Sequence, residues 1–116
     1  MSHALIVEGL RSPRGRGNDK GALRNLKPVD LLAQQLEALA SRTLIQTAQV
    51  SDVYMGCVTQ TADQGANIAK LALIKARWDD CVPGLSINRY CASGLSAVHM
   101  AAQEAMSCDS LAVGGG

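Results

Sequence analysis

Phenylalanine is absent from this chain, which carries one tryptophan and two tyrosines among 116 residues. Stacking platforms for nucleic acid bases are therefore lacking, and the core has to be assembled from aliphatic and small side chains. An excess of charge is lacking too. Eleven Lys and Arg against ten Asp and Glu leave a net charge of +1, so the totals point to neither nucleic acid nor an anionic membrane as partner. No apolar run approaches the roughly 20 residues that span a bilayer. The opening MSHALIVEGLRSP has a short apolar run with no basic flank before it and no cleavage-like site. It reads as the first strand of a cytoplasmic protein and not as a secretory signal.

Metal-ligand spacing is also missing. The four cysteines, Cys57, Cys81, Cys91 and Cys108, include no CxxC pair, and only His3 and His99 could join them. No metal site is expected, and without an export signal the cysteines are expected to be reduced thiols. What remains, 47% hydrophobic and 18% charged residues, is the composition of an ordinary globular domain, residues 1–116, long enough for a single core.

ALIVEGL (4–10) is a β-branched and aliphatic run with the pattern of a buried strand. RSPRGRGNDKGALRNLK (11–27) follows, holding six of the eleven basic residues and three glycines. It predicts a long loop, and without GxxxxGK[ST] it is no P-loop. From Pro28, the residues Val29, Leu32, Ala33, Leu36, Leu39 and Ala40 recur at helical spacing. Asp30 and Arg42 lie at the helix ends that suit their charges. DVYMGCV (52–58) reads as a second strand, and Asn67 as the N-cap of a largely buried helix NIAKLALIKAR. LSINRY (85–90) is a third strand, ASGLSAVHMAAQEAMS (92–107) a third helix and SLAVGGG (110–116) a fourth strand. The order βαβαβαβ implies an α/β fold with a parallel sheet and right-handed crossovers. The chain stops at Gly114–Gly116, where a strand would be turning into a loop.

Cys91 stands where the third strand gives way to the third helix, at the carboxyl edge of such a sheet, the edge at which open α/β folds bind ligands. Unpaired N–H groups at a helix start favour a thiolate and could hold a developing oxyanion. Ala92, Ser93 and Gly94 keep the approach small enough for a bulky thioester. The competing reading is a buried cysteine acting as a small hydrophobe. Cys57 is expected in the core of the second strand, while Cys81 and Cys108 read as incidental. His99 lies eight residues beyond Cys91, about 12 Å along a helix axis, too far to act as its base. His3 is expected at the opposite edge of the sheet. Asp79 and Asp80, as neighbours with diverging side chains, are assigned no role. Cys91 is thus a candidate nucleophile without an activating histidine. A cysteine hydrolase or a redox domain fits poorly, since neither a base nor a CxxC partner accompanies it.

NRYCASGLSAV resembles the acyl-enzyme motif of the thiolases, whose nucleophilic cysteine follows Asn-Arg and precedes a small-Ser-Gly-Leu run. RSPRGRG, DVYMGCVTQTADQGANIAK, PGLSINRYCASGL and the terminal AVGGG resemble the N-terminal portion of that family in the same order, over essentially all 116 residues. The cysteine context resembles the degradative 3-ketoacyl-CoA branch more than the biosynthetic one, and differs from that of the beta-ketoacyl synthases. The resemblance implies a thiolase-like fold with strand order 3-2-1-4 and Cys91 as the acyl acceptor from 3-ketoacyl-CoA or acetyl-CoA. Coenzyme A thioesters would be substrates, with no bound cofactor, and the protein would form a homodimer or tetramer. It also implies that the activating histidine, the second catalytic cysteine and the CoA-binding loop region belong to a C-terminal half that is absent here. Cofactor-binding residues are therefore unassigned. The alternative is a truncated, non-catalytic thiolase-like domain that acts only through association. In either case the third helix, packed between two layers in the family, should expose apolar surface here.

Overall fold

A computed structural model describes residues 3–116. Three helices and three strands alternate along the chain. They are α1 (Pro28–Thr43), β1 (Val50–Gly56), α2 (Ile68–Lys75), β2 (Gly84–Ile87), α3 (Ser93–Cys108) and β3 (Leu111–Gly115). The sheet is parallel with order β2-β1-β3, so the α/β class expected from the sequence is the one observed.

The strand at the centre decides the layering. β1 is buried on both sides because its side chains alternate between two cores. Val53 and Met55 join Ala33 and Leu36 of α1, Ala69, Ala72 and Leu73 of α2, and Trp78 and Val82. Tyr54 faces the other way, against Ala97 and Ala101 of α3. α1 and α2 thus cover one face of the sheet, and α3 covers the other.

Local chemistry sets the helix ends. Pro28 opens α1 where its missing N–H costs nothing, and Leu44 closes the helix in the left-handed region with φ 56°. Asn67 is the predicted N-cap of α2, and its Oδ1 accepts from the Lys70 N–H at 3.1 Å. The same amide ties the helix to the sheet. Asn67 Nδ2 donates to the Gly84 carbonyl at 2.6 Å, and the Ser86 hydroxyl donates to Asn67 Oδ1 at 3.0 Å. Asp30 of α1 and Lys75 of α2 form an ion pair that joins the two helices.

Residues 4–10 are not a strand. They run irregularly outside the sheet, with Leu5, Ile6 and Val7 at 82%, 90% and 73% exposure. An ion pair between Glu8 and Arg42 at 3.2 Å ties them to the end of α1. The expected order 3-2-1-4 is accordingly met in part. The third and second strands are neighbours as β2 and β1, but the fourth, β3, pairs with β1 directly along the edge expected for residues 4–10. The reason lies in how close α3 comes. A Cβ on Gly114 of β3 would sit 2.6 Å from the Ala97 carbonyl oxygen of α3. A strand with a side chain at the Gly114 position cannot take that place without lifting the helix. α2 also departs from expectation. Its buried face is Ile68, Ala69, Ala72 and Leu73, while Leu71 and Ile74 are exposed. Leu95 and Val98 of α3 are exposed as well, the apolar surface expected of this helix.

Candidate active site

β2 ends at Ile87 and α3 begins at Ser93, and the five residues between them form a tight turn that presents Cys91 to solvent. The sequence places Cys91 at the mouth of the helix. In the structure it stands one residue before the N-cap, Ala92. No side chain caps α3, and of its first amides the Ser93 N–H is taken by the Tyr90 carbonyl at 3.1 Å.

The turn is held by its own polar groups. The Tyr90 N–H donates to Asn88 Oδ1 at 2.9 Å, and Asn88 Nδ2 donates to the Val58 carbonyl at 3.2 Å. The Ala92 N–H donates to the Arg89 carbonyl at 3.0 Å. Among the described residues Ser93 is the one buried residue with an aliphatic hydroxyl, at 4% exposure. Its Oγ accepts from the Arg89 N–H at 2.8 Å and donates to the Tyr90 carbonyl at 2.6 Å. Tyr90 takes φ 47°, a left-handed conformation that an aromatic residue rarely adopts.

Glycine makes room beneath the turn. A Cβ on Gly56, the last residue of β1, would lie 2.5 Å from both the Ser93 carbonyl carbon and the Gly94 amide nitrogen. The start of α3 therefore rests on backbone at the carboxyl end of β1, and Cys91 is fixed at the ligand-binding edge of the sheet.

The other candidates separate from this site. Cys57 lies just beyond β1 and is buried as expected, its thiol donating to Gln64 Oε1 at 3.4 Å. Cys81 is exposed. The Asp79 carboxylate beside it accepts a hydrogen bond from the Cys81 N–H at 3.0 Å, which lowers the Asp79 pKa, while hydrogen bonding to that carboxylate raises the Cys81 thiol. Cys108 is exposed at the last position of α3. His99 lies two turns into α3 and is exposed. Since residues 4–10 lie outside the sheet, the expected placing of His3 at its opposite edge does not apply.

A cavity of about 710 Å³ lies between residues 4–12 and parts of α1, α3 and β3. Cys57 and Gly56 line it but Cys91 does not, so it marks the space beside the N-terminal segment and not the candidate nucleophile. Among the described residues no group of three or more His, Cys, Asp or Glu could hold a metal ion, and no helix is long and apolar enough to cross a membrane.

Sequence reasoning identified Cys91 but missed the residues that shape its turn. Asn88 and Ser93, one and six residues past the last apolar residue of the strand, Ile87, carried a signal, because such side chains bond nearby backbone in turns. The role of Gly56 carried none, since a close approach depends on which helix crosses the strand.

Residues 4–116 match the family described as "Thiolase, N-terminal domain". The 3-ketoacyl-CoA thiolase FadA of Escherichia coli (strain K12) is 40% identical over 118 aligned residues, which cover 99% of this chain and 30% of that protein. The 3-ketoacyl-CoA thiolase of Shigella flexneri serotype 5b (strain 8401) matches to the same extent. The crystal structure of the Bacillus anthracis acetyl-CoA acetyltransferase superposes with a TM-score of 0.76 at 35% identity, covering 83% of this chain and 24% of that one. The chain thus spans about a third of the length of the curated relatives it matches. With the parallel sheet and the Asn-Arg-x-Cys turn described above, these matches place it in the thiolase family, as an N-terminal domain.

Proposed function

We propose that this chain carries the acylation half of a thiolase-type acyl transfer, with Cys91 as the nucleophile. One observation carries the reading. In a chain of this family, Cys91 is solvent-exposed on a fixed turn at the carboxyl edge of the sheet, beside the uncapped start of α3. The Cys91 sulfur attacks the C3 carbonyl of a 3-ketoacyl-CoA and forms a carbon–sulfur bond. The C2–C3 bond then breaks, and the electron pair left on C2 takes a proton to release acetyl-CoA. With an acetyl-CoA donor, the bond that breaks is the one to the CoA sulfur, and CoA leaves as the thiol. The acyl group next passes to a second CoA thiol in thiolysis, or to the carbanion of a second acetyl-CoA in condensation.

The amide groups at the start of α3 are suited to the oxyanion that forms during attack. The base that takes the Cys91 proton is not supplied by His99, which lies about 12 Å away along the helix axis. It is assigned to the family's C-terminal half, together with the CoA-binding residues. Residues 1–116 are read as one domain of that larger unit. A cytoplasmic homodimer or tetramer is the setting proposed for it. The relatives' names, 3-ketoacyl-CoA thiolase among them, support the degradative direction.

Intact mass spectrometry after incubation with acetoacetyl-CoA tests the reading. Without the base and the CoA-binding residues of the C-terminal half, no turnover is expected of the 116-residue chain alone. The half-reaction is read as one acetyl group on the 12.2 kDa chain, absent from a Cys91→Ala variant. A chain that takes no acetyl group would instead be a thiolase-like scaffold acting only through association. An adduct that survives Cys91→Ala would move the chemistry to another residue.

A further inference from the structure

The turn before Cys91 is strained, and packing does not hold it. Tyr90 adopts φ 47°, yet the residue is 78% exposed, so no core packing compensates for a left-handed conformation in a bulky residue. Hydrogen bonds are what remain: two backbone bonds, from the Ala92 N–H to the Arg89 carbonyl at 3.0 Å and from the Ser93 N–H to the Tyr90 carbonyl at 3.1 Å, and those of two side chains. Asn88 holds the Tyr90 N–H from outside, at an exposed position. Ser93 holds the Arg89 N–H and the Tyr90 carbonyl from inside, in a buried one. The hydroxyl of Ser93 spans both peptide groups that flank the Arg89–Tyr90 unit, and it does so from the first residue of α3. It therefore couples the direction in which the chain leaves β2 to the position of the helix end.

We propose that Ser93 is the positioning residue for Cys91. Through the Arg89 N–H and the Tyr90 carbonyl it sets the left-handed turn that keeps the sulfur beside the first amides of α3. The inference rests on the acyl-transfer reading above for the purpose of the turn, but not for its geometry. A second feature sharpens it. Gly56 lets α3 settle against β1 with its Ser93–Gly94 peptide against the strand, so the Ser93 backbone is anchored from below while its side chain works upward on the turn. Removing the hydroxyl leaves the anchor and the two backbone bonds in place, frees the Arg89 N–H and so loosens the turn.

The test compares Ser93→Ala, Ser93→Thr and Asn88→Ala in the full chain, following acetyl transfer from acetoacetyl-CoA to Cys91. For Ser93→Ala we expect the saturating rate to fall about tenfold to a hundredfold, as for a reacting group displaced by about an ångström. The half-saturating concentration should change less than about twofold, because Ser93 does not touch substrate. Ser93→Thr restores the hydroxyl and should recover most of the rate, while Asn88→Ala should show a smaller loss of the same kind. Iodoacetamide labelling of buried Cys57 separates unfolding from loosening, since only unfolding exposes it. If the unaltered chain takes no acetyl group, the acyl-transfer reading fails. The positioning role is then read from the iodoacetamide rate of Cys91 relative to exposed Cys81, with a fall of about five- to tenfold expected for Ser93→Ala from the loss of its hydrogen bonds. An unchanged Cys91 rate with Cys57 protected, or a Ser93→Thr variant as impaired as Ser93→Ala, would overturn the proposal.

Discussion

The two faces of the sheet are built on different terms. On the α1–α2 side, Leu36, Leu73, Val53 and Val82 are fully buried together with Trp78, and backbone meets backbone only where α2 crosses Gly84, whose Cβ would lie 2.8 Å from the Lys70 amide nitrogen. On the α3 side, the buried contacts are Ala97, Ala101 and Tyr54, and the helix comes down onto glycine backbone at Gly56 and Gly114. The first face supplies most of the apolar burial, at about 1.5–3 kcal/mol for each fully buried aliphatic side chain. The second gives up burial for proximity. The teaching of the difference is a division of labour. The thick layer makes the domain stable, and the thin one fixes the distance between a helix end and a strand end, where Cys91 is held.

Substitutions can break that division or sharpen it. Leu73→Ala removes a fully buried side chain from the thick layer, and the expected loss of stability is about 2–5 kcal/mol in urea unfolding. The turn at Cys91 should keep its geometry in the fraction that stays folded. Gly56→Ala acts on the thin layer. The added methyl has to push the Ser93–Gly94 peptide aside, at a cost of about 1–3 kcal/mol for overpacking. Here the larger sign should be a loss of Cys91 acylation out of proportion to the loss of stability. If Leu73→Ala and Gly56→Ala lowered acylation only as far as they lowered stability, the two layers would not be functionally distinct.

The smallest effect is one of pH. Tyr54 is the aromatic anchor of the thin layer, and burial first, then the charge of Asp52, raises its phenol above the ordinary 10.0. A raised pKa favours the protonated form in the folded state. The resulting stability is full below the unfolded value near 10 and is lost as the pH climbs through the folded one. Urea midpoints measured up to and above pH 10 should therefore decline, and a Tyr54→Phe variant should decline less. Equal slopes would remove Tyr54 from the account.

Much of this was legible from residues alone, because it depends on neighbours in sequence. The exposed apolar residues of α3 followed from the family resemblance, and the helical spacing from Val29 to Ala40, the cap at Asn67 and the strand at 52–58 followed from local pattern. So did the place of Cys91 between a strand and a helix. The errors concern partners. ALIVEGL has the composition of a central strand, but composition does not say which edge is vacant, and β3 takes the edge of β1 because Gly114 fits under α3. Leu71 and Ile74 look buried by composition and are exposed, since α2 packs through Ile68, Ala69, Ala72 and Leu73. Ser93 was read as a small residue that cleared space. Its hydroxyl has a second use that only the fold of the turn reveals.

Asn67 has a consequence of a different kind. Its side-chain amide works at both ends, with Nδ2 on the Gly84 carbonyl and Oδ1 receiving the Lys70 N–H and the Ser86 hydroxyl. Deamidation, the ordinary chemical ageing of asparagine, would keep the shape of the side chain and reverse the character of one end. A carboxylate oxygen would then face the Gly84 carbonyl, two acceptors where a donor and an acceptor now meet. The join between α2 and β2 would keep the bond from the Ala69 N–H to the Ser86 hydroxyl and lose the one that Nδ2 makes, so the wear of the fold in storage is tied to how long that nitrogen stays in place.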